Sequence, residues 1–226
     1  MFQPKSIDFS KTTVYSARSR TNLVNIASLR TPGAQPDNLF QSPEFDILVE
    51  KLNQAKVAKK TVTCFIGAHV IKCGLSRYLI WLMEHGYITH LASNGAGSIH
   101  DFELAYLGGT SEYVPTAIED GSFGMWEETG RWMNEAIRQG AARGYGYGQS
   151  LVAYVEENSE KFPYKEDCVF YRAYQMGIPM TYHVTIGTDI IDQHPYADFA
   201  AIGQTSGVDF GYFCHSISAL EGGVHM

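Results

Sequence analysis

Three groups of residues in this chain have the types and spacing to do chemistry. Ala68 and His69 follow an apolar run at 61–66. Asn94, Gly95, Ala96 and Gly97, with His100 and Asp101 just beyond, follow a second run at 88–92. Asp189, Asp192 and His194 follow a third at 180–186. Small residues between a strand and a helix leave backbone N–H groups free at a positive helix end, which suits an anion such as a dinucleotide pyrophosphate. Gly95-x-Gly97 matches only the first two glycines of the dinucleotide fingerprint, and His100 stands where the third would be.

The elements that must position these groups read as alternating strands and helices. Residues 88–92 have the length of a strand and residues 93–97 the composition of a turn. Ser98 reads as the cap of a helix that buries Ile99, Phe102, Leu104, Ala105 and Leu107 and stops at Gly108-Gly109. Upstream, residues 61–66 are β-rich, and residues 71–85 are helical in pattern with Gly86 as the stop. That gives two successive strand–loop–helix units, the building block of a parallel sheet. In such sheets ligands sit outside the carboxyl ends of the strands, the edge at which all three groups fall. The fold expected is α/β, a Rossmann-like, mainly parallel sheet with flanking helices.

Residues 1–41 read as an N-terminal arm with little regular structure, and residues 42–226 as the sheet domain. Ser42-Pro43-Glu44 opens a helix whose Phe45, Leu48, Val49 and Leu52 share one face. Residues 112–124 read as a loop, and residues 125–143, 149–158, 167–176 and 206–220 as helices. Gly144 to Gly148 reads as a link, and Val224-His225-Met226 as the opening of another strand. A domain rarely stops there, so a C-terminal continuation is expected.

Composition bounds the partners. The chain has 226 residues, 45% hydrophobic and 18% charged, with a net charge of −7. No Lys/Arg run marks a nucleic-acid or anionic-membrane surface, and no apolar stretch approaches membrane-spanning length. Cys64, Cys73, Cys168 and Cys214 are scattered, without a Cys-x-x-Cys pair. Buried free thiols in a reducing, cytoplasmic compartment are expected, with Cys64 and Cys214 in apolar runs. Trp126, Trp132, Tyr145 and Tyr147 suit either an aromatic binding wall or the core.

The run from Phe65 to Leu79 (Phe-Ile-Gly-Ala-His-Val-Ile-Lys-Cys-Gly-Leu-Ser-Arg-Tyr-Leu), the run from Glu84 through Asn94-Gly95-Ala96-Gly97 to His100-Asp101, and Gly187-Thr188-Asp189 together resemble deoxyhypusine synthases. The bacterial deoxyhypusine synthase-like branch is the most similar. The resemblance spans roughly residues 40 to 226 and is strongest over residues 62–110. It implies an NAD-dependent aminoalkyl (aminobutyl) transferase acting on a polyamine such as spermidine or putrescine, with homospermidine synthesis as a related possibility. It places Ala68, His69, Asn94, Gly95, Ala96, Gly97 and Asp189 at NAD, and His100, Asp101, Asp192 and His194 at the substrate. It also implies a homotetramer. His100 stands where the family has an acid, and His69 and Lys72 where it has small polar residues. No lysine matches the family's catalytic one, which lies beyond Met226, so the catalytic residue stays unassigned. Two other readings remain open on the residues alone. Asp189, Asp192 and His194 could serve a metal-dependent hydrolase, or the chain could bind NAD without catalysis.

Overall fold

The computed structural model describes residues 3–33 and 39–226. Four parallel strands form the central sheet: β2 (Val62–Ile66), β3 (His90–Asn94), β5 (Met180–His183) and β6 (Val224–His225), in the spatial order β5-β3-β2-β6. The chain starts in the middle at β2, steps outward through β3 to β5, and then returns to the other side of β2. This is the winding of the first four strands of a dinucleotide-binding sheet, and the reversal falls between β2 and β6. The α/β Rossmann-like architecture expected from the sequence is the one found.

Register gives the sheet two unlike faces. Cys64 pairs with Leu91, and Ser93 with both Ile66 and Tyr182, so these side chains share one face. That face packs into a core with Leu79, Ile80 and Met83 of α3 (Ser76–Glu84), Phe102 and Leu104 of α4 (Gly95–Leu107), and Phe170 of α8 (Val169–Gln175). The opposite face carries Thr63, Phe65, His90, Thr181 and His183. Phe213 of α9 (Phe199–Ser218) lies against Phe65, His90 and His183, and the His90 Nδ1 is 2.7 Å from Ser216 Oγ. The outer edge of β5 is closed by side chains from α9. Asp209 accepts the Tyr182 amide at 2.7 Å, and Ser206 accepts from Val184 and donates to the Tyr182 carbonyl. A fifth strand on that side has no free ladder to join.

Several expectations are corrected. The helix expected over residues 71–85 is two, α2 (Ala68–Lys72) and α3, because Gly74 adopts φ +75° between them. The N-terminal segment crosses there, with the Arg30 amide donating to the Gly74 carbonyl at 2.8 Å. That segment is more ordered than expected. Its strand β1 (Asn22–Asn25) pairs antiparallel with β4 (Gly109–Glu112), and Ala17 and Leu29 are buried in the core. The stretch expected as a loop at 112–124 supplies the end of β4 and then α5 (Val114–Asp120). Helix α1 (Pro43–Val57) begins as expected, with the Ser42 hydroxyl accepting the Phe45 amide, but Phe45 and Val49 stay exposed while Leu48 and Leu52 are half-buried. Helices α6 (Glu127–Ala142) and α7 (Tyr147–Glu157) lie close to their expected spans, whereas α9 begins at Phe199, well before residue 206. Cys64 and Cys168 are buried thiols, but Cys73 and Cys214 are exposed. The expected short strand at 224–226 pairs with β2.

Candidate functional site

The three loops meet at the carboxyl rim, and the closest approach is between α4 and the segment after β5. A Cβ on Gly95 would fall inside the Asp189 carboxylate, so only glycine admits Asp189 to the first turn of α4. Helix α4 starts directly from β3, at Gly95 rather than Ser98. Its cap is Asn94, whose Oδ1 accepts the Gly97 amide at 2.9 Å. Gly97 is required because Ser93, donating to the Ile66 carbonyl at 2.9 Å, fills the space a Cβ would take. The residues read as an open glycine loop are therefore helix, capped by Asn94 and approached closely by the Asp189 carboxylate. The free-amide grip on a diphosphate at residues 93–97 is not available in that form. The comparable opening lies at Gly67, the exposed residue before α2. It has no side-chain cap, and a Cβ there would meet nothing within 4 Å.

Beside Asp189 opens a cleft of about 230 Å³ lined by Arg20, Lys72, Ala96, His100, Glu103, Ser111, Glu112 and Phe123. Its floor is a buried polar chain. Arg20 Nη2 lies 2.6 Å from Glu103 Oε2, with both side chains almost wholly buried. Thr110 donates to the same oxygen at 2.6 Å, and Thr129 donates to Oε1 at 3.0 Å. His100 Nδ1 lies 2.7 Å from Thr110 Oγ1. Burial draws the His100 ring below its ordinary pKa, against the opposing pull of Glu103 and aided by Lys72, Arg20 and His69. Burial, with the neighbouring Asp192, pushes the Asp189 carboxyl up to about 6. Ser111 is a non-glycine residue at φ +61° in the cleft wall, a strained conformation of the kind found where a fold holds a side chain for a purpose.

Not every expected substrate residue reaches this cleft. Asp101 is buried and turned away, accepting the Val169 and Phe170 amides at 3.1 and 2.8 Å as the cap of α8. Burial pushes it up to about 7 against those two donors. Asp192 folds back on its own turn, accepting from Gly187 at 2.6 Å and Asp189 at 3.4 Å. His194 is buried against Gly130 of α6, accepts the Tyr196 amide on Nδ1 and points Nε2 at Glu127, 3.6 Å away. With Asp192 and His194 so occupied, the metal-hydrolase reading loses its ligand set. Among the described residues no group of three or more His, Cys, Asp or Glu is placed to hold a metal. His69 is exposed on α2, and Ala68 is half-buried beside it. Trp126 and Tyr147 are core residues and Trp132 packs on that core, so no aromatic wall forms from them.

The residues that sequence reasoning missed are Arg20, Glu103, Thr110, Ser111 and Glu112. Glu103 carried a usable signal, since a carboxylate within the apolar stripe of a helix needs a buried partner. Arg20, in a polar segment, carried none.

No family model matches the chain, and no curated protein matches it. Solved structures do. A conserved putative LOR/SDH protein from Methanococcus maripaludis S2 superposes with a TM-score of 0.50 at 14% identity, over 83% of this chain and 52% of that one. The cyanobacterial arginine dihydrolase ArgZ follows at 0.48 and 15%, over 80% of this chain and 24% of its own. AgrE, in its ternary complex with ornithine and NAD+, gives 0.47 and 17%, over 81% and 25%. This chain therefore spans between about a quarter and about half of the solved proteins it matches. The likeness is one of fold. No helix among the described residues is long and apolar enough to cross a membrane.

Proposed function

We propose that this chain is the NAD-binding part of an enzyme acting on a small amine, in the manner of the deoxyhypusine synthase-like aminoalkyl transferases that its sequence resembles. The observation that carries this reading is the seating of Asp189 on Gly95, which joins the third loop to the second at the rim of a sheet wound like a dinucleotide-binding fold. The residues present fit the cofactor. Gly67 leaves open backbone beside the β2/β6 reversal, Asn94 ends the next strand outward, and Asp189 offers a carboxylate at the adjoining helix start. Bound there, NAD would accept a hydride from the carbon next to the amine. Asp189 would accept hydroxyl hydrogens of the cofactor, and the cleft beyond it would receive the amine, spermidine or putrescine on the family likeness. The catalytic lysine is not assigned, and a homotetramer in the cytoplasm is part of the same reading.

Calorimetry of the chain with NAD+ tests it. One site per chain is expected, with affinity rising as pH increases through about 6, where Asp189 ionises and becomes the stronger acceptor. In Asp189→Asn that rise should vanish. Absence of binding by both NAD+ and NADH at millimolar concentration would remove the proposal.

A further inference from the structure

The polar chain under the cleft fixes more than stability. Thr110 has a single hydroxyl proton and two neighbours competing for it, Glu103 Oε2 at 2.6 Å and His100 Nδ1 at 2.7 Å. Glu103 is already fixed by Arg20 at 2.6 Å and by the Thr129 hydroxyl, and a carboxylate is an acceptor only. Thr110 must therefore give its proton to Glu103 and accept one from the ring. That assigns the ring proton to Nδ1 and leaves Nε2 a lone pair. Among the described residues the ring's hydrogen bond is the one at Nδ1, none engages Nε2, and His100 lines the cleft together with Asp189.

We propose that Arg20, Glu103 and Thr110 hold His100 as a neutral ring with Nε2 turned to the cleft, where it takes a proton from the ammonium group of a bound amine. The step moves one proton: R–CH2–NH3+ and imidazole become R–CH2–NH2 and imidazolium. No other bond changes. A neutral amine is the form able to release hydride from its carbon or to attack an imine, so the step prepares the chemistry proposed above and rests on that reading. Asp189 faces the same space and supplies the counter-charge for the ammonium ion as it enters. Thr110 is a positioning residue. Its backbone is fixed by pairing with Val24 across β1 and β4, and the strained Ser111 follows it. The charged groups around the ring are Arg20 from the N-terminal segment, His69 and Lys72 from α2, Glu103 from α4, Glu112 from β4 and Asp189 from the loop after β5. Burial is the largest influence on the ring and draws its pKa down, while Glu103 opposes it by favouring the imidazolium that the step forms.

Long-range nitrogen–proton NMR of the histidine rings reads this directly in the ligand-free protein, with His100→Gln identifying the His100 signals. The expected result at pH 7 is a protonated Nδ1 and an unprotonated Nε2. Thr110→Val should lose that preference and Thr110→Ser should restore it. Adding putrescine or spermidine should then shift Nε2 of His100 in the wild-type protein. A ring protonated on Nε2, a ring doubly protonated at pH 7, or a correct tautomer that responds to neither amine would each overturn the proposal. NAD+ binding measured separately by calorimetry would still stand or fall on its own, so failure of the amine site and failure of the cofactor reading are distinguishable.

Discussion

Arg20→Met is expected to destabilise the protein by about 3–5 kcal/mol, the usual cost of removing one partner from a buried ion pair. Arg20 and Glu103 are almost wholly out of solvent, 2.6 Å apart. Methionine can fill part of the space under the Trp126 ring, over which the guanidinium now lies at 5.3 Å, but it cannot neutralise Glu103. The remaining donors to Glu103, the Thr110 and Thr129 hydroxyls, carry no charge. Arg20→Met/Glu103→Leu should recover part of the loss, because it removes the orphaned carboxylate. The recovery is incomplete because both threonines then lose their acceptor. Denaturant midpoints of the two variants at constant m-value measure both terms. A single-variant loss below about 1 kcal/mol, the range of an exposed pair, would show that the Arg20–Glu103 pair is solvated.

Gly95→Ala is expected to fold and to lose more than tenfold in NAD+ affinity, about 1.4 kcal/mol. The new methyl group takes the position of the Asp189 carboxylate, which must swing out with its loop. Alanine favours a helical position by roughly 0.5–1 kcal/mol over glycine, while the forced displacement costs about 1–3 kcal/mol. Net stability should therefore fall by about 0–2.5 kcal/mol, which leaves the protein folded. Thermal unfolding and calorimetry on the same sample separate the two. Unchanged affinity would mean that Asp189 does not touch the cofactor.

What the sequence disclosed and what it hid have physical causes. The sheet was legible because β2 and β3 lie in short, largely apolar runs closed by small residues, at 61–66 and 88–92, and parallel strands buried on both faces carry that signature. The start of α4 was misread because glycines in a helix's first turn look like a loop. The reason for them, Asp189 and Ser93 pressing on the backbone, lies in another part of the chain and in the register of β3. Asp192 and His194 resembled ligands through local spacing, yet that spacing serves a turn that caps itself and a ring that packs on Gly130. Asp101, two ionisable positions into a site-like motif, points away from His100 because residues one apart on a helix diverge. Glu103 shares the side of His100 through the three-residue spacing. Arg20 reaches the cleft through the pairing of β1 with β4 and through Glu128, which accepts from Ser16 and Ala17, contacts between segments far apart in sequence.

The central claim is that three strand-end loops form one nucleotide site at the carboxyl rim. Backbone amide NMR of the isotope-labelled chain, titrated with NAD+, tests it most directly. The account predicts saturable shifts confined to Gly67, Ala68, His69, Asn94, Gly95, Ala96 and Asp189, with Asp101 and His194 unmoved. Shifts centred instead on the apolar cleft beside β5, around Phe170, Tyr174 and Tyr212, would contradict it.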